Sequence, residues 1–300
     1  MVKQLTIISG KGGTGKTTVS SVFVSLAENA VIADCDVDAA DMHLIMSPEI
    51  IEKKDFYGLK VASIDRELCT FCSSCRGSCR FGAIDDDFQV DVYGCEGCAV
   101  CEYVCPFDAV TMVDRKAGEV FISMTRFGPM AHAKLGIGEE ASGKLVSVVR
   151  NTARDLALKH DKDAIIIDGP PGTGCSVIAA ITGVDLVLVV SEPTLSGVHD
   201  LERVLEVVKH FRIPVLVCIN KSNVNEKNTR MIQDYCMAQE IEVVGVLPYD
   251  RTPTAAMVEG KTVTEYVDNN FSSGICSMWE RVREYLFAER NSCGVDLINS

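Results

Sequence analysis

The feature that constrains this chain most is a glycine-rich loop set between two kinds of secondary structure. Leu5–Ser9 is an apolar run of strand length, and Lys16–Ala27 has the make-up of a helix. Between them stands Gly10-Lys11-Gly12-Gly13-Thr14-Gly15-Lys16-Thr17, which fits G-x-x-x-x-G-K-[ST] in the strand–loop–helix setting that the pattern requires. Glycines let successive backbone N–H groups turn inward at a helix N-terminus, which makes a concave site for phosphate. Lys16 would reach the β- and γ-phosphates of a nucleotide, and the Thr17 hydroxyl would ligate Mg²⁺.

The rest of the chain supplies the fold that such a loop needs. Val31–Ala33, Ala164–Ile167, Leu186–Val190, Val215–Ile219 and Val243–Leu247 are apolar throughout and predict strands. Leu145, Val148, Val149, Thr152 and Leu156 keep a helical period, and Val198, Leu201, Leu205 and Val208 share one face of a helix over Val198–Phe211. Further helices are predicted over Asn225–Gln239 and about Ser277–Ala288. Strands without polar alternation, separated by amphipathic helices, describe an α/β protein with a doubly wound parallel sheet covered on both faces. The longest apolar runs are strand-sized, far below the ~18 residues of a membrane span. Met1–Lys16 lacks the layout of a signal peptide. With 29 basic against 42 acidic residues the net charge is −13, which excludes general attraction to nucleic acid or anionic lipid. A cytoplasmic location is expected, and there cysteines serve as metal ligands more readily than as disulfides.

Cysteine is over-used and unevenly placed. Eight of the 14 fall between Cys69 and Cys105, and residues 62–114 carry 10 Asp/Glu against 3 Lys/Arg. That segment is expected to be a separate module, inserted into an ATPase domain formed by 1–61 and 115–300. Its spacing is Cys69-x₂-Cys72-x₂-Cys75-x₃-Cys79, then Cys95-x₂-Cys98-x₂-Cys101-x₃-Cys105-Pro106. This is the run of a small α+β bacterial-type ferredoxin with two [4Fe–4S] clusters, written twice; the fourth cysteine of each run ligates the other cluster. The expected sets are Cys69, Cys72, Cys75 and Cys105 for one cluster, and Cys95, Cys98, Cys101 and Cys79 for the second. Zinc is the alternative, but its sites commonly use two separated Cys-x₂-Cys pairs and leave the third and trailing cysteines without a role. Arg80 stands where a proline commonly follows the fourth cysteine.

Lys11 at the start of Lys11-Gly-Gly-Thr-Gly-Lys16-Thr-Thr resembles the deviant phosphate loop of the CobQ/CobB/MinD/ParA nucleotide-binding family, which includes the nitrogenase iron protein and the Mrp-type iron–sulfur scaffold ATPases. The resemblance implies that Gly10, Lys11, Gly12, Gly13, Thr14, Gly15, Lys16, Thr17 and Thr18 hold the phosphates of ATP or ADP. It also implies an ATP-dependent homodimer in which Lys11 touches the partner's nucleotide. Asp34-Cys-Asp36-Val-Asp38 resembles the family's switch, with Asp36 orienting the attacking water. Ile165-Ile-Ile-Asp168-Gly-Pro-Pro-Gly172 resembles its Walker B strand, with Asp168 facing the ligand crevice. Asn220-Lys221-Ser222-Asn223 stands where GTP-binding relatives place Asn-Lys-x-Asp; lacking the carboxylate, it favours adenine, read by Asn220. Pro248-Tyr-Asp250 resembles the loop against the adenine ring.

Of the remaining cysteines, Cys35, Cys218, Cys236, Cys276 and Cys293 read as core packing. Cys175 is different: it lies seven residues after Asp168, the offset of a cluster-bridging cysteine in the nitrogenase iron protein. The C-terminal helix balances Glu280, Glu284 and Glu289 against Arg281, Arg283 and Arg290, so packing on the sheet is expected rather than membrane targeting. Three functions stay open: nucleotide-gated electron transfer to a redox partner protein, assembly or delivery of iron–sulfur clusters, and MinD-like positioning with a redox sensor.

Overall fold

The computed structural model describes residues 2–136, 139 and 142–288. Its strands are β1 (Lys3–Ser9), β2 (Ala30–Asp34), β3 (Glu49–Ile64), β4 (Val110–Thr125), β5 (Gly128–Leu135), β6 (Ala164–Pro171), β7 (Leu186–Ser191), β8 (Val215–Ile219) and β9 (Val243–Val246). Its α-helices are α1 (Lys16–Leu26), α2 (Met42–Met46), α3 (Ser74–Ser78), α4 (Val100–Tyr103), α5 (Gly143–Lys159), α6 (Cys175–Ile181), α7 (Leu195–His210), α8 (Glu226–Ala238), α9 (Thr252–Val258), α10 (Val263–Tyr266) and α11 (Asn270–Phe287).

The strands form one sheet in the order β3-β4-β5-β2-β6-β1-β7-β8-β9. From β5 to β9 every pairing is parallel. Successive residues of the central strands feed two cores. Leu5, Ile7, Ile32, Ile166 and Leu188 pack with α1 and α11 on one face. Ile8, Val31, Ala33, Ile167 and Val189 pack with α5, α7 and α8 on the other. Burial on both faces is why these strands read as unbroken apolar runs. The C-terminal helix begins at Asn270, earlier than its apolar period, because Asn269 and Ser272 cap each other's backbone reciprocally. Cys218 and Cys236 are buried in the core as expected, whereas Cys293, Glu289 and Arg290 lie outside the described residues.

The sheet departs from a purely parallel one at a single edge. β3 and β4 are antiparallel, as are β4 and β5, and β3 is the edge strand. Glu49–Leu59 gave no strand signal because the edge is largely exposed and Glu, Lys and Asp interrupt both faces. The outer halves of β3 and β4 form a ribbon whose last pairs are Ala62↔Met112, Ser63↔Thr111 and Ile64↔Val110. The ends of the expected 62–114 insertion therefore belong to the ribbon, and both cysteine runs lie between its two strands. Among the described residues no helix is long and apolar enough to cross a membrane.

Candidate functional site

The phosphate loop follows β1 and leads into α1, with Gly13 at φ +76° and Gly15 at φ +98°. A side chain at Gly15 is excluded twice, by that backbone and by Asn220, whose Nδ2 would stand 2.4 Å from a Cβ. Gly10 is held as closely, since its Cβ would meet that of Asp200 at 2.4 Å. Asn220 Nδ2 donates to the Thr14 carbonyl at 2.8 Å, and its Oδ1 accepts from Lys221 N at 2.9 Å. The residue expected to read adenine thus braces the phosphate loop from below. Lys221 Nζ donates to the Gly13 carbonyl at 2.8 Å and pairs with Glu192 at 2.7 Å. Lys11 pairs with the other Glu192 oxygen at 2.7 Å and donates to Thr194 Oγ1 and Ser196 Oγ. Burial pushes the Glu192 carboxyl up, but the two lysines outweigh it and hold it below the usual range.

Beneath the loop lie three buried carboxylates and one buried amine. β2 and β6 run in parallel register, which sets Asp34 opposite Asp168 at the strand ends. Thr17 and Ser20, one helical turn apart on α1, donate to the two Asp168 oxygens at 2.8 Å each. Lys16 Nζ pairs with Asp36 Oδ2 at 2.8 Å, and Asp36 N donates to Asp34 Oδ1 at 3.3 Å. Asp34 Oδ2 and Thr14 Oγ1 are buried without a hydrogen-bond partner. One lysine cannot balance three carboxylates. Burial, then the charges of Asp168 and Asp36, drive the Asp34 carboxyl well above the ordinary carboxylate range. Burial raises Asp168 as well, against the pull of Lys16 and its two hydroxyl donors. For Lys16, burial lowers the ammonium, but Asp168, Asp36 and Asp34 together raise it further. This unmet negative charge and the orphaned oxygen fit a divalent cation beside Thr17, while the loop above fits phosphate.

The base-side loops meet at the ends of β8 and β9. Ser222 N donates to the Leu247 carbonyl, and Asn223 Oδ1 accepts from Tyr249 N at 2.7 Å. Pro248 and Asp250 flank that tyrosine, and Asp250 is held by Thr252 N and Asn269 Nδ2. Cys175 is exposed and opens α6 at the end of the loop after Asp168.

The cysteine segment repeats itself in backbone as well as in sequence. Phe71 and Gly97 have φ of +59° and +64°, Ser73 and Ala99 +63° and +61°, and Gly82 and Asp108 +63° and +51°. Each pair is separated by the same 26 residues as Cys69 and Cys95. Short helices α3 and α4 follow Ser73 and Ala99 in the same register. Cys69, Cys72, Cys75 and Cys105 line one cavity, with Phe88, Phe107 and Val110. Cys79, Cys95, Cys98 and Cys101 line another, with Phe81, Ile84 and Met112. Among the described residues no three or more His, Cys, Asp or Glu side chains form a group able to hold a single metal ion. Four cysteines lining an apolar void fit a larger sulfur cluster better than a single ion.

Residues 5–263 match the CobQ/CobB/MinD/ParA nucleotide binding domain. The chain belongs to this family. It is 30% identical over 289 residues to an uncharacterized protein of Methanocaldococcus jannaschii, which covers 95% of this chain and 98% of that one. It is 23% identical to the septum site-determining protein MinD of Bacillus subtilis, over 94% and 89% of the two chains. Among solved structures it resembles MinD of Pyrococcus horikoshii complexed with Mg-ADP, with a TM-score of 0.59 at 19% identity over 94% of this chain and 96% of that one. A stretch of 54 residues, 17% of this chain and 63% of the relative, is 39% identical to pyruvate synthase subunit PorD of M. jannaschii.

As a MinD/ParA-type ATPase, the chain assembles Lys16, Thr17, Asp36 and Asp168 in one site and sets Lys11 at its rim. Sequence reasoning missed three of the groups around them. Ser20 could have been found from its one-turn spacing after Thr17. Glu192 carries the same signal as Asp168, an acid at the end of an apolar strand. Lys221 lay inside a motif examined only for its asparagines.

Proposed function

We propose that this ATPase carries two [4Fe–4S] clusters in its 62–114 insertion. We further propose that, under control of Mg²⁺-ATP, it passes single electrons from a low-potential donor protein to an acceptor protein. The observation that carries the proposal is the 26-residue repeat of the cysteine segment, whose two cavities each collect three cysteines of one run and the last cysteine of the other. The PorD-like stretch, as long as the cysteine segment itself, supports it. Bound clusters supply one-electron carriers. The chain's part is to hold them in a small acidic module on a ribbon continuous with the ATPase sheet.

At the nucleotide site ATP is the substrate. Lys16 exchanges Asp36 for the β- and γ-phosphates, which leaves the Asp36 carboxylate to orient the attacking water. Thr17 holds Mg²⁺, with Asp168 fixing the hydroxyl and Asp34 adding charge. Asn220 keeps the loop in shape, and Asn223, an amide whose oxygen accepts from Tyr249 N, offers no carboxylate to read guanine. Lys11 leaves Glu192 when two copies meet face to face and reaches the second copy's phosphates, an exchange that isologous pairing permits.

The test is anaerobic purification followed by iron and sulfide analysis, with electron transfer to a one-electron dye and cluster transfer to an apo-ferredoxin under each nucleotide. About eight iron and eight sulfide per chain, with nucleotide-dependent electron transfer and retained clusters, are expected. Rapid ATP-dependent loss of intact clusters to the apo-protein would move the function to delivery. A colourless, zinc-loaded protein would overturn the clusters altogether.

A further inference from the structure

The two cysteine sets attach differently to the rest of the molecule. Gly97, between Cys95 and Cys98, lies so close to the ribbon that a Cβ on it would stand 2.5 Å from the Lys60 carbonyl oxygen. Val92, just before Cys95, accepts a hydrogen bond from Arg115 on β4, and Arg115 Nη2 also pairs with Glu139 at 2.7 Å. The Cys69 set instead hangs from the ribbon's far end. There Cys69 N donates to the Asp65 carbonyl at 3.0 Å and Asp65 N to the Ala109 carbonyl at 2.8 Å.

The stretch of β3 under Gly97 is gripped from the ATPase side. Lys144 Nζ donates to the Tyr57 carbonyl at 2.9 Å and lies 5.6 Å from the centre of the Phe56 ring. Lys144 is the second residue of α5. The first, Gly143, sits so tightly on α6 that a Cβ would be 2.9 Å from the Cys175 carbonyl oxygen. Cys175 ends the loop after Asp168. Contacts therefore run from the Asp168 loop through Cys175, Gly143 and Lys144 to Tyr57 and, three residues further along β3, from Lys60 to Gly97. The β3–β4 register shifts between Tyr57 and Lys60, so this part of the ribbon is irregular where it is gripped.

We infer that Lys144 is the positioning residue through which the nucleotide reaches the cysteine segment, and that the cluster of Cys79, Cys95, Cys98 and Cys101 is the one that responds. The inference rests on the proposed function. A loop that changes with the γ-phosphate shifts the start of α6; α5 follows, and Lys144 transmits the change to the ribbon under Gly97.

The experiment is voltammetry of the full chain with ADP and with a non-hydrolysable ATP analogue, each cluster taking one electron from the electrode. Cys72→Ser and Cys98→Ser change one ligand of each set and so identify the two waves. In the wild type, the wave displaced by Cys98→Ser should move between nucleotides by the equivalent of about tenfold in affinity, 59 mV for one electron. Lys144→Met should keep ATPase activity and iron content but abolish the movement, and Lys144→Arg should restore it. Hydrogen exchange of residues 55–61 gives a readout independent of the clusters: nucleotide should alter it in the wild type and not in Lys144→Met. Movement of the Cys72-labelled wave instead, or a shift that survives Lys144→Met, overturns the inference while leaving the proposed function standing. If neither wild-type wave moves, nucleotide gating itself falls, and the inference with it.

Discussion

The phosphate loop and the cysteine segment both turn through left-handed backbone, yet they are held up in opposite ways. The loop hangs between β1 and α1, above a core that continues on both faces of the sheet. Its unusual dihedrals fall on glycines, Gly13 and Gly15, where they cost little. The cysteine segment has a small core, chiefly Ala62, Cys75, Ile84, Phe88 and Val110 among the described residues. It exposes Phe71, Phe81, Tyr93, Tyr103 and Phe107. Four of its repeated left-handed positions are Phe71, Ser73, Ala99 and Asp108 rather than glycine, at about 1–2 kcal/mol each. The nucleotide site rests on a large core, whereas the insertion, with little core of its own, is expected under the proposed function to depend on the clusters it would hold.

The sharpest way to break that contrast is to remove the proposed clusters. With an iron chelator under anaerobic reduction, hydrogen exchange of residues 65–109 should rise to that of an unfolded chain, while β1 and β6 keep their protection. Equal protection before and after would show that the small core suffices alone.

The next largest effect is on turnover. Lys16→Ala should lower ATP hydrolysis by about a hundredfold or more, because a methyl group cannot meet the charge that the Lys16 ammonium neutralises on the transferred phosphoryl. Gly15→Ala should weaken nucleotide binding through the contact with Asn220, and its clusters should be unaffected. Lost iron in Gly15→Ala would tie the two cradles together structurally and spoil the contrast.

A smaller effect concerns charge. The raised Asp34 carboxyl binds a proton more readily in the folded protein than in the unfolded chain, whose carboxylates titrate at about 3.9. Its favourable contribution is complete below that value and is lost as pH rises through the raised one. Asp34→Asn should therefore stabilise the nucleotide-free protein by about 1–3 kcal/mol at pH 8, and by less at pH 5. It should also reduce the stabilisation that Mg²⁺-ADP gives. Thermal melts at both pH values, with and without Mg²⁺-ADP, check this; a stability difference that does not grow with pH would contradict it.

The smallest effect tests strain directly. Ser73→Gly should relieve one left-handed residue and stabilise the cluster-free segment by about 1 kcal/mol. It should leave the nucleotide site untouched. Slower loss of protection of residues 65–109 in the course of chelation is the readout, and an unchanged rate would deny the strain.

What the sequence disclosed divides along the same line. Chemistry fixed in consecutive residues was legible: the Gly10–Thr18 loop, the acid after an apolar strand at Asp168, and both cysteine runs. Chemistry made by register was not. Asp34 stands beside Asp168 only because β2 and β6 pair in parallel, and Glu192 reaches Lys11 and Lys221 only because β7 and β8 end at the same level. The ribbon was illegible for another reason. As an exposed edge it buries little, so β3 carries no apolar period to read. Asn220 shows a third limit, since its type suggested a contact with the base but not its second contact, with the Thr14 carbonyl.

The central claim is that two cradles built so differently are energetically linked. Linkage is reciprocal, so the oxidation state of the clusters must alter nucleotide affinity by the factor with which nucleotide alters the clusters. Equilibrium dialysis of Mg²⁺-ADP and of a non-hydrolysable ATP analogue, against oxidised and dithionite-reduced protein, measures that factor. Reduction should change the ratio of the two affinities by about fivefold or more. Identical ratios in both oxidation states, with both clusters shown to be reduced, would contradict it.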